Sequence, residues 1–453
     1  MNLSNEQQQV FDKYIQGENI FITGPGGTGK TALIRSIYRH ALSTRKNIQV
    51  CALTGCASIL LECRAKTIHS WSGIGLGQGE IDAIVKKVIA NRNKTQPWKI
   101  VDILIIDEVS MMSKKIFDML NLIGKITRKS YKPFGGIQVI FSGDFYQLPP
   151  VGIQDEPDTT RFCFESEDWS TVFNSSIALT QIFRQNDPIY ISVLNQIREG
   201  RLKRRSIELL QGYVNRPLPQ TRPTKLYPTR NQVDKINNNE MAKLTSEEFQ
   251  YRTRNHYDLP IVDKKKPTML SFSKDAIEQE LERMKNSIMC DPITKLKVGT
   301  QVMCVVNTED YGTPLCNGSQ GTVIGFAGEF PIIQFVQLNR TFDCVIKYYT
   351  WSSENIEGIG ISQIPLIHSW ALTIHKSQGT TLDVAEIDVG NGIFECGQTY
   401  VALSRIKSLD GLYLSSFDYT KIKINRKVRD FYSELQTSNN EVPNNEVPPT
   451  NDV

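Results

Sequence analysis

Two short segments of the chain have the residue types and spacing that bind a nucleoside triphosphate. Residues 24–31 read Gly-Pro-Gly-Gly-Thr-Gly-Lys-Thr, which fits the phosphate-loop pattern G-x-x-x-x-G-K-S/T. An apolar run at 19–23 precedes the loop and a helix-compatible run at 32–40 follows it, which is the order that the motif requires. The residues expected to surround the phosphates are Gly24, Gly26, Gly27, Thr28, Gly29, Lys30 and Thr31.

The chemistry expected of this loop is phosphoryl transfer. Lys30 can reach the β- and γ-phosphates, and the Thr31 hydroxyl can bind Mg²⁺. The second segment, residues 103–108, is an apolar strand that ends in Asp107 and Glu108. Asp107 is placed to hold the metal through water, and Glu108 to act as the base or to orient the attacking water. The two segments together predict hydrolysis of a nucleoside triphosphate.

Four further polar residues have the chemistry to complete such a site. Gln147, in the segment 142–150, can hydrogen-bond a γ-phosphate oxygen and so sense hydrolysis. Arg184 and Arg405 can act as arginine fingers, which stabilise the charge that develops in phosphoryl transfer. Gln7 can read the adenine edge with its amide. Taken singly, each residue also fits an ordinary structural role in a turn, a surface ion pair or a helix start.

Two other segments carry residues suited to contact a nucleic acid. His375-Lys-Ser-Gln-Gly379 follows the apolar run 364–374, so its side chains and backbone groups can hold phosphates of a nucleic acid or of a nucleotide. Thr67-Ile-His-Ser-Trp71 precedes a glycine-rich stretch, and an aromatic residue there can stack on a base or wedge at a duplex junction. For Trp71, a place in the hydrophobic core is an equally good interpretation.

Strands and helices alternate through most of the chain, which indicates an α/β fold with a parallel sheet covered by helices. Residues 72–100 interrupt this pattern as a glycine-rich and then basic insertion, and residues 297–350 predict a small barrel-like β module. The segment 245–292 is polar without a clear pattern, and 437–453 is expected to be a disordered tail. The strand-like runs lie near 48–54, 102–106, 137–142, 176–180, 225–228, 385–389 and 412–415.

Composition restricts the class of protein. The 453 residues are 40% hydrophobic and 22% charged with a net charge of +4, which is typical of globular proteins and compatible with a nucleic-acid partner. Nine cysteines without C-x-x-C pairs and five histidines argue against a zinc site and predict reduced, buried thiols. No apolar run reaches the length of a membrane span, and residues 1–7 lack the features of a signal or transit peptide. We therefore expect an intracellular protein without a membrane segment.

The ordered series of motifs extends well beyond the two nucleotide segments. Its blocks are residues 3–7, 24–31, 53–58, 67–77, 107–111, 133–138, 143–151, 183–185, 187–200, 375–383 and 400–405. This series resembles the PIF-type (petite integration frequency) family of superfamily-one DNA helicases, and more distantly the RecD-like and Dda-like enzymes. The blocks at 67–77 and 187–200 are more specific than the phosphate loop. Cys56 and Tyr190 depart from the usual family residues without affecting the predicted chemistry.

The resemblance implies an α/β architecture of two RecA-like P-loop NTPase lobes. The first lobe would comprise 1–67 and 101–180, with a small wedge element inserted at 68–100. The second lobe would comprise 181–244 and 364–436, with 245–363 inserted in it, including an SH3-like β module at about 293–363. The resemblance also implies a monomer that uses ATP and Mg²⁺ to move 5′→3′ along single-stranded DNA and to open forks, in replication, repair or recombination.

By carry-over from the family, the motif residues acquire expected roles. The ATPase site would consist of Lys30, Thr31, Asp107, Glu108, Gln147, Arg184 and Arg405, with Gln7 at the adenine, Gly379 near the nucleotide, and Thr31 and Asp107 at the metal. The DNA contacts would be Thr54, His69, Trp71, Thr229, His375 and Lys376.

Three other interpretations of the same motifs stay open. A translocase that strips proteins from single strands would share every ATPase motif and differ at the 68–100 element. A non-hydrolysing nucleic-acid-binding module with a relict nucleotide site would not turn over ATP. The intact Asp107-Glu108 pair and both arginines argue against this interpretation. An RNA substrate is a third possibility, because motors that read the backbone differ little at the 2′-hydroxyl.

Overall fold

The structure, a computed structural model, describes most of the 453 residues. The described ranges are 3–75, 77–153, 156–219, 223–258, 272–306, 315, 319–337, 340–353, 356 and 358–440. Within these ranges, no helix combines the length and the apolar character that crossing a bilayer requires. Six of the described cysteines (Cys51, Cys63, Cys163, Cys290, Cys304 and Cys344) are buried.

A six-stranded parallel sheet is the centre of the first lobe. Its spatial order is β3-β2-β4-β5-β1-β6. The strands are β1 (Ile20–Thr23), β2 (Ile48–Ala52), β3 (Lys66–Thr67), β4 (Ile103–Asp107), β5 (Gln138–Ser142) and β6 (Ser175–Ala178). All five residues of β4 are buried, as expected for a strand covered on both faces. The carboxyl ends of β1, β4 and β5 therefore lie side by side at one edge of the sheet.

Helices cover both faces of this sheet. On one face α1 and α2 pack Val10 and Ile34 against Ile22, and on the other α7 packs Phe117 against Phe141. A capping box between Ser4 and Gln7 starts α1. The helices of the first lobe are α1 (Asn5–Ile15), α2 (Lys30–Ser43), α3 (Gly55–Leu60), α4 (Ile68–Ser72), α5 (Ile81–Ile89), α6 (Arg92–Ile100), α7 (Lys114–Thr127) and α8 (Trp169–Val172).

A four-stranded parallel sheet is the centre of the second lobe, in the order β18-β7-β19-β20. Its strands are β7 (Thr224–Tyr227), β18 (Ala371–Thr373), β19 (Ala385–Val389) and β20 (Leu412–Phe417). Its helices are α9 (Pro188–Arg198), α10 (Arg204–Gln211), α11 (Arg230–Lys243) and α13 (Gln398–Leu403). Tyr190 and Leu194 of α9 share a core with Leu226 and Ile387 of the sheet, so α9 belongs to this lobe.

Between β7 and β18 the chain forms antiparallel sheets. The largest has the order β14-β13-β12-β11-β17. Its last strand, β17, lies beyond residue 363, so the predicted boundary of the inserted region was wrong there: Val302 pairs with His368 across the predicted border. The elements are β8 (Phe249–Arg252), β9 (Arg254–Tyr257), α12 (Lys274–Ser287), β10 (Ile293–Leu296), β11 (Gln301–Cys304), β12 (Gln320–Ala327), β13 (Phe330–Gln337), β14 (Arg340–Val345), β15 (Tyr349–Ser352), β16 (Ile359–Gln363) and β17 (Leu366–His368).

The last helix, α14 (Arg426–Asn440), corrects two expectations. Residues 437–440, predicted as the start of a disordered tail, continue this helix, while 441–453 lie outside the described residues. The sequence placed the first part of this helix in the second lobe, but Val428 and Tyr432 are buried in the core of the first lobe. The apolar side chains of α14 find their partners there, so the chain crosses back from the second lobe to the first.

Candidate active site

The phosphate loop joins the end of β1 to the start of α2. Gly24 has φ +139, and a β-carbon there would lie 2.3 Å from the carbonyl oxygen of Leu179, so only glycine fits. The Lys30 Nζ donates to the carbonyl oxygens of Gly24 (2.6 Å) and Pro25 (3.0 Å), which folds its side chain back over the loop. Burial lowers the pKa of Lys30, and the nearby Asp144 opposes this. The loop thus surrounds a half-buried cation at a helix start, an arrangement that favours an anion.

The remaining residues of the loop contact both lobes. Gly26 and Gly27 face Arg184, since a β-carbon on either glycine would lie within 3.5 Å of that side chain. Thr28 is buried and its hydroxyl donates to the Pro25 carbonyl. Gly29 has φ +80 and caps α2, in whose first turn Thr31 follows Lys30. The loop residues that the sequence predicted therefore lie together, next to an arginine from a distant part of the chain.

Asp107 and Glu108 lie at the carboxyl end of β4, with Asp107 6% exposed. Glu108 has φ +56, which is uncommon for a residue with a side chain. Burial and, secondly, the charge of Asp107 raise the pKa of Glu108 to about 7. Its Oε2 accepts a hydrogen bond of 3.1 Å from the Nε2 of Gln378, a residue of the second lobe that the sequence analysis did not single out. A carboxylate with a raised pKa beside a phosphate loop can accept a proton from water.

Two arginines that are far from the phosphate loop in the sequence, Arg184 and Arg405, meet at that loop. A β-carbon built on Gly26 would lie 3.5 Å from the Arg184 Nη1 and 3.7 Å from the Arg405 Nη2. Arg405 is 2% exposed, and its Nε and Nη2 donate to the Val401 carbonyl and the Ser404 hydroxyl. Burial and the neighbouring charge of Arg184 lower the pKa of Arg405 to about 9. A buried and a half-buried cation beside a phosphate loop create a site for a polyanion.

Two residues that sequence reasoning missed help to join the lobes at this point. The Tyr400 hydroxyl accepts a hydrogen bond of 2.8 Å from the backbone N–H of Gly26. The Gln185 amide donates to the carbonyl oxygens of Ser404 (3.2 Å) and Ile406 (2.9 Å). Both residues lie within predicted motifs: Gln185 directly follows Arg184, and Tyr400 begins the block 400–405 that ends in Arg405. This proximity in the sequence is the signal that could have identified them.

Gln147 lies 5% exposed after β5, where its backbone contacts the second lobe. A β-carbon on Gly397 would lie 2.4 Å from the carbonyl oxygen of Tyr146 and 2.5 Å from that of Gln147, so the lobes approach each other closely there. In the same segment Asp144 is fully buried and forms a bidentate ion pair with Arg198 of α9, with N–O distances of 2.8 and 2.9 Å. These contacts hold the segment containing Gln147 against the second lobe.

Gln7 contacts the phosphate loop directly. Its Nε2 donates to the Thr28 carbonyl (3.3 Å), and its Oε1 accepts from the Ser4 N–H (3.1 Å). One N–H and one acceptor lone pair of the amide are left for a base edge. Phe183, which the sequence analysis did not select, is 51% exposed and lies next to Gly29, where its ring can stack on a base.

The predicted metal ligands fit a magnesium ion held mainly by phosphate and water. Asp107 is a buried carboxylate whose pKa is raised by burial, so a nearby cation would stabilise its charged form. Among the described residues there is no group of three or more acidic, histidine or cysteine side chains that could hold a metal ion. A site of one hydroxyl, one carboxylate and a polyphosphate is the kind that Mg²⁺ occupies.

Three predicted DNA contacts line one cavity of about 580 Å³ in the second lobe. Thr229, at the start of α11, and the loop residues His375 and Lys376 border it. Phe394, missed in the sequence, is 63% exposed at its edge, and its ring lies parallel to His375 at 6.3 Å between centroids. Lys295 and His368 of the antiparallel sheets border the cavity from the other side. Aromatic and basic groups in one groove can bind a single strand.

The other predicted contacts lie in the first lobe. Thr54 follows β2, and its hydroxyl accepts from the Ala57 N–H at the start of α3. His69 is partly buried in α4, and burial lowers its pKa. Gly379, which was predicted near the nucleotide, belongs instead to the loop after β18 of the second lobe; its φ is +83, and a β-carbon there would lie 2.9 Å from the Leu60 side chain of α3.

For Trp71 the DNA-contact prediction was wrong. Its ring is 6% exposed and packs on Trp98 with 4.6 Å between centroids. The Trp98 Nε1 donates to the Ser72 carbonyl, which fixes the pair between α4 and α6. The indole belongs to the hydrophobic core of the first lobe.

Comparison with known proteins agrees with this arrangement. The family model described as PIF1-like helicase matches residues 2–206, and the model described as DNA helicase Pif1, 2B domain, matches residues 281–326. The ATP-dependent DNA helicase RRM3 of Saccharomyces cerevisiae is 31% identical over 96% of this chain and 68% of its own length. The chain belongs to the PIF1-like helicase family. It spans 57% to 68% of the length of the first curated relatives that it matches, which are named ATP-dependent DNA helicases.

Solved structures of the PIF1-like helicase family have the same fold. The Pif1 helicase of Candida albicans is 34% identical, with a TM-score of 0.75 over 96% of this chain and 100% of that one. Pif1 from a Bacteroides species, in complex with ADP-AlF4, is 29% identical, with a TM-score of 0.78 over 97% and 98%. A structure of Bacteroides Pif1 bound to single-stranded DNA is also 29% identical, with a TM-score of 0.65 over 97% of this chain and 98% of that one. The chain thus has the α/β RecA-like helicase fold of its family, with a Pif1 2B domain.

Proposed function

We propose that this chain is an ATP-driven DNA helicase that moves 5′→3′ along single-stranded DNA and separates the duplex ahead of it. The observation that carries the proposal is the meeting of Arg184 and Arg405 with the phosphate loop. These two guanidinium groups come from parts of the chain far from the loop, and burial together with the charge of Arg184 lowers the pKa of Arg405. A triphosphate between the lobes would supply the missing negative charge, and its hydrolysis would remove part of it.

ATP would be bound by the loop at residues 24–31, with Gln7 and Phe183 at the base. Glu108 would orient the attacking water and accept its proton, and Lys30 with the two arginines would stabilise the charge on the phosphoryl oxygens. Mg²⁺, held by Thr31 and through Asp107, would neutralise phosphate charge when bound. Gln147 would report the γ-phosphate to the second lobe, because its segment packs against Gly397.

The DNA strand would run through the cavity that Thr229, His375 and Phe394 line. Phosphate contacts and base stacking there do not depend on sequence, which suits a motor that must pass over any sequence. The distance between the lobes would change as ATP binds and is hydrolysed, so the strand would be gripped alternately. The chain would act on single strands and forks as a monomer.

We further propose that residues 68–100 are the wedge element of the first lobe and that the sheet from β11 to β17 is an SH3-like module. The wedge proposal is supported by its position, since α4, α5 and α6 lie between β3 and β4 in the chain and share a core through Trp71, Val85 and Trp98. The module is supported by its core, in which Val302, Val323 and Phe335 pack together.

ATP turnover tests the motor. Purified protein is expected to hydrolyse ATP faster when oligo(dT) is added, and Lys30→Ala is expected to abolish that turnover because the phosphates lose the lysine cation of the loop. Arg204→Ala, on an exposed surface of α10, is the control for general damage. A Lys30→Ala protein that hydrolyses ATP at the wild-type rate would contradict the assignment of the site.

Forked duplexes test direction and unwinding. Fluorescent forks with only a 5′ tail should be opened in the presence of ATP and Mg²⁺, and forks with only a 3′ tail should not. Preference for a 3′ tail would overturn the proposed direction. Hydrolysis without strand separation on either fork would instead favour the single-strand translocase.

A further inference from the structure

The loop that follows β18, residues 374–380, contacts three functional groups at once. His375 and Lys376 line the cavity proposed for DNA. The Gln378 Nε2 donates a hydrogen bond of 3.1 Å to the Glu108 Oε2, across the boundary between the lobes. The Thr380 carbonyl oxygen accepts a hydrogen bond of 3.4 Å from the Arg405 Nη1. The loop is therefore in contact with the DNA cavity, the water-orienting carboxylate and an arginine finger.

This loop is held in one shape by its own hydrogen bonds. The Ser377 N–H donates to the Thr373 carbonyl (3.1 Å), and the Gln378 N–H donates to the His375 carbonyl (3.2 Å). The Ser377 hydroxyl donates to the Ile374 carbonyl (2.8 Å), and Ser377 is fully buried. A displacement of His375 by a bound strand would therefore be transmitted to Gln378 rather than absorbed by the loop.

Glu108 depends on an outside group for its orientation. It is the first residue after β4, its φ is +56, and it lies beside the like charge of Asp107. The charge of Asp107 repels the Glu108 carboxylate, and the charges of Lys30 and Arg405 attract it. The Gln378 amide adds the directional contact, because its Nε2 donates a hydrogen bond to one oxygen of this carboxylate, Oε2.

We propose that Gln378 is a positioning residue for Glu108: it aims this carboxylate at the attacking water and links occupancy of the DNA cavity to ATP hydrolysis. The proposal rests on the proposed function, because it assigns Glu108 the water-orienting role. Gln378 acts through Glu108 and touches neither the nucleotide nor the strand in this account. Its loss should therefore slow turnover while leaving ATP and DNA binding in place.

The test replaces the donor without shortening the side chain. Gln378→Met is expected to lower the oligo(dT)-stimulated kcat about 10- to 100-fold, the effect of losing one hydrogen bond to a charged group. The KM for ATP and the Kd for oligo(dT) are expected to stay within about twofold of wild type. Gln378→Glu, which keeps the size and adds a repelling charge, should slow turnover at least as much. Gln211→Met, on an exposed turn of α10, is the matched control.

A double-mutant cycle separates positioning from a merely structural role. If Gln378 works through Glu108, adding Gln378→Met to Glu108→Gln should lower kcat no further. An equal further loss in that background, an unchanged kcat in Gln378→Met, or weakened DNA binding with normal kcat would overturn the inference. If oligo(dT) does not stimulate ATP hydrolysis by the wild-type protein, the proposed function is contradicted, and this inference with it. That outcome is seen before any variant is compared, so it is distinct from a failure of the Gln378 variants.

Discussion

Removing the Arg198 side chain should strongly destabilise the protein. Its guanidinium forms a bidentate pair with Asp144, and the two side chains are 11% and 0% exposed. The rings of Tyr146 and Tyr432 flank the guanidinium at 4.6 and 5.4 Å from its central carbon. In Arg198→Met the Asp144 carboxylate would stay buried without its counter-charge. We therefore expect a loss of about 3–5 kcal/mol, the range for breaking a buried pair from one side.

A second ion pair in the same segment of chain provides the control. Arg204 and Glu208 also approach to 2.9 Å, but their side chains are 92% and 59% exposed. Water and salt screen such a pair, so Arg204→Met should cost about 0–1 kcal/mol. The two variants make the same chemical change at nearly the same separation and differ in burial. The difference between the two losses of stability therefore reports the effect of burying the ion pair rather than the effect of pairing the charges.

Calorimetric melting of the wild type, Arg198→Met and Arg204→Met measures these losses of stability. For a cooperative unit of about 150–250 residues, 1 kcal/mol corresponds to about 2–4 °C in Tm. Arg198→Met should therefore lower the Tm of the unit containing the first lobe by about 6–20 °C, and Arg204→Met by at most about 4 °C. Equal shifts in the two variants would refute the argument from burial. The double variant Asp144→Asn/Arg198→Met should regain part of the loss, because no unpaired charge stays buried.

Three other predictions follow from the site. Trp71→Ala should lower stability by about 3–5 kcal/mol in thermal melts without changing oligo(dT) affinity, and a selective loss of DNA binding would contradict its burial in the core. Gly397→Ala should impair ATP turnover because its β-carbon meets the Tyr146 carbonyl. The control Gly328→Ala is also at positive φ but in open space, so it should cost only about 1–2 kcal/mol of stability. Equal ATPase activities of the two variants would refute the close approach of the lobes at Gly397. Phe394→Ala should weaken oligo(dT) binding by about 1–3 kcal/mol in fluorescence titrations with ATP affinity unchanged, and unaltered DNA binding would argue against stacking.

Local motifs were predictable because their chemistry depends on neighbouring residues. The loop at residues 24–31 needs glycines at positive φ and a lysine at a helix start, and all of these lie within eight consecutive residues. The strand before Asp107 was recognisable as an apolar run for the same reason. The parallel α/β class followed from the alternation of such runs with helical stretches.

Partners far apart in the chain were not predictable from pattern. Nothing near Gln378 indicates Glu108, and nothing near Arg198 indicates Asp144, because contact between them depends on how two sheets pack. The role of Trp71 was equally undecided, because the same local sequence allows an indole in a helix either to pack in the hydrophobic core or to stack on a nucleic-acid base. Only its packing on Trp98 decided between them.

By itself, the sequence determined that a triphosphate is bound and which lobe supplies the phosphate loop, since backbone conformation there is a property of a few adjacent residues. The tertiary structure alone decided which distant groups complete the site. It brought Arg405 and Tyr400 to Gly26, and it returned α14 to the first lobe. The physical reason is that these contacts arise from burial of apolar faces between elements, and that burial is a property of the whole chain.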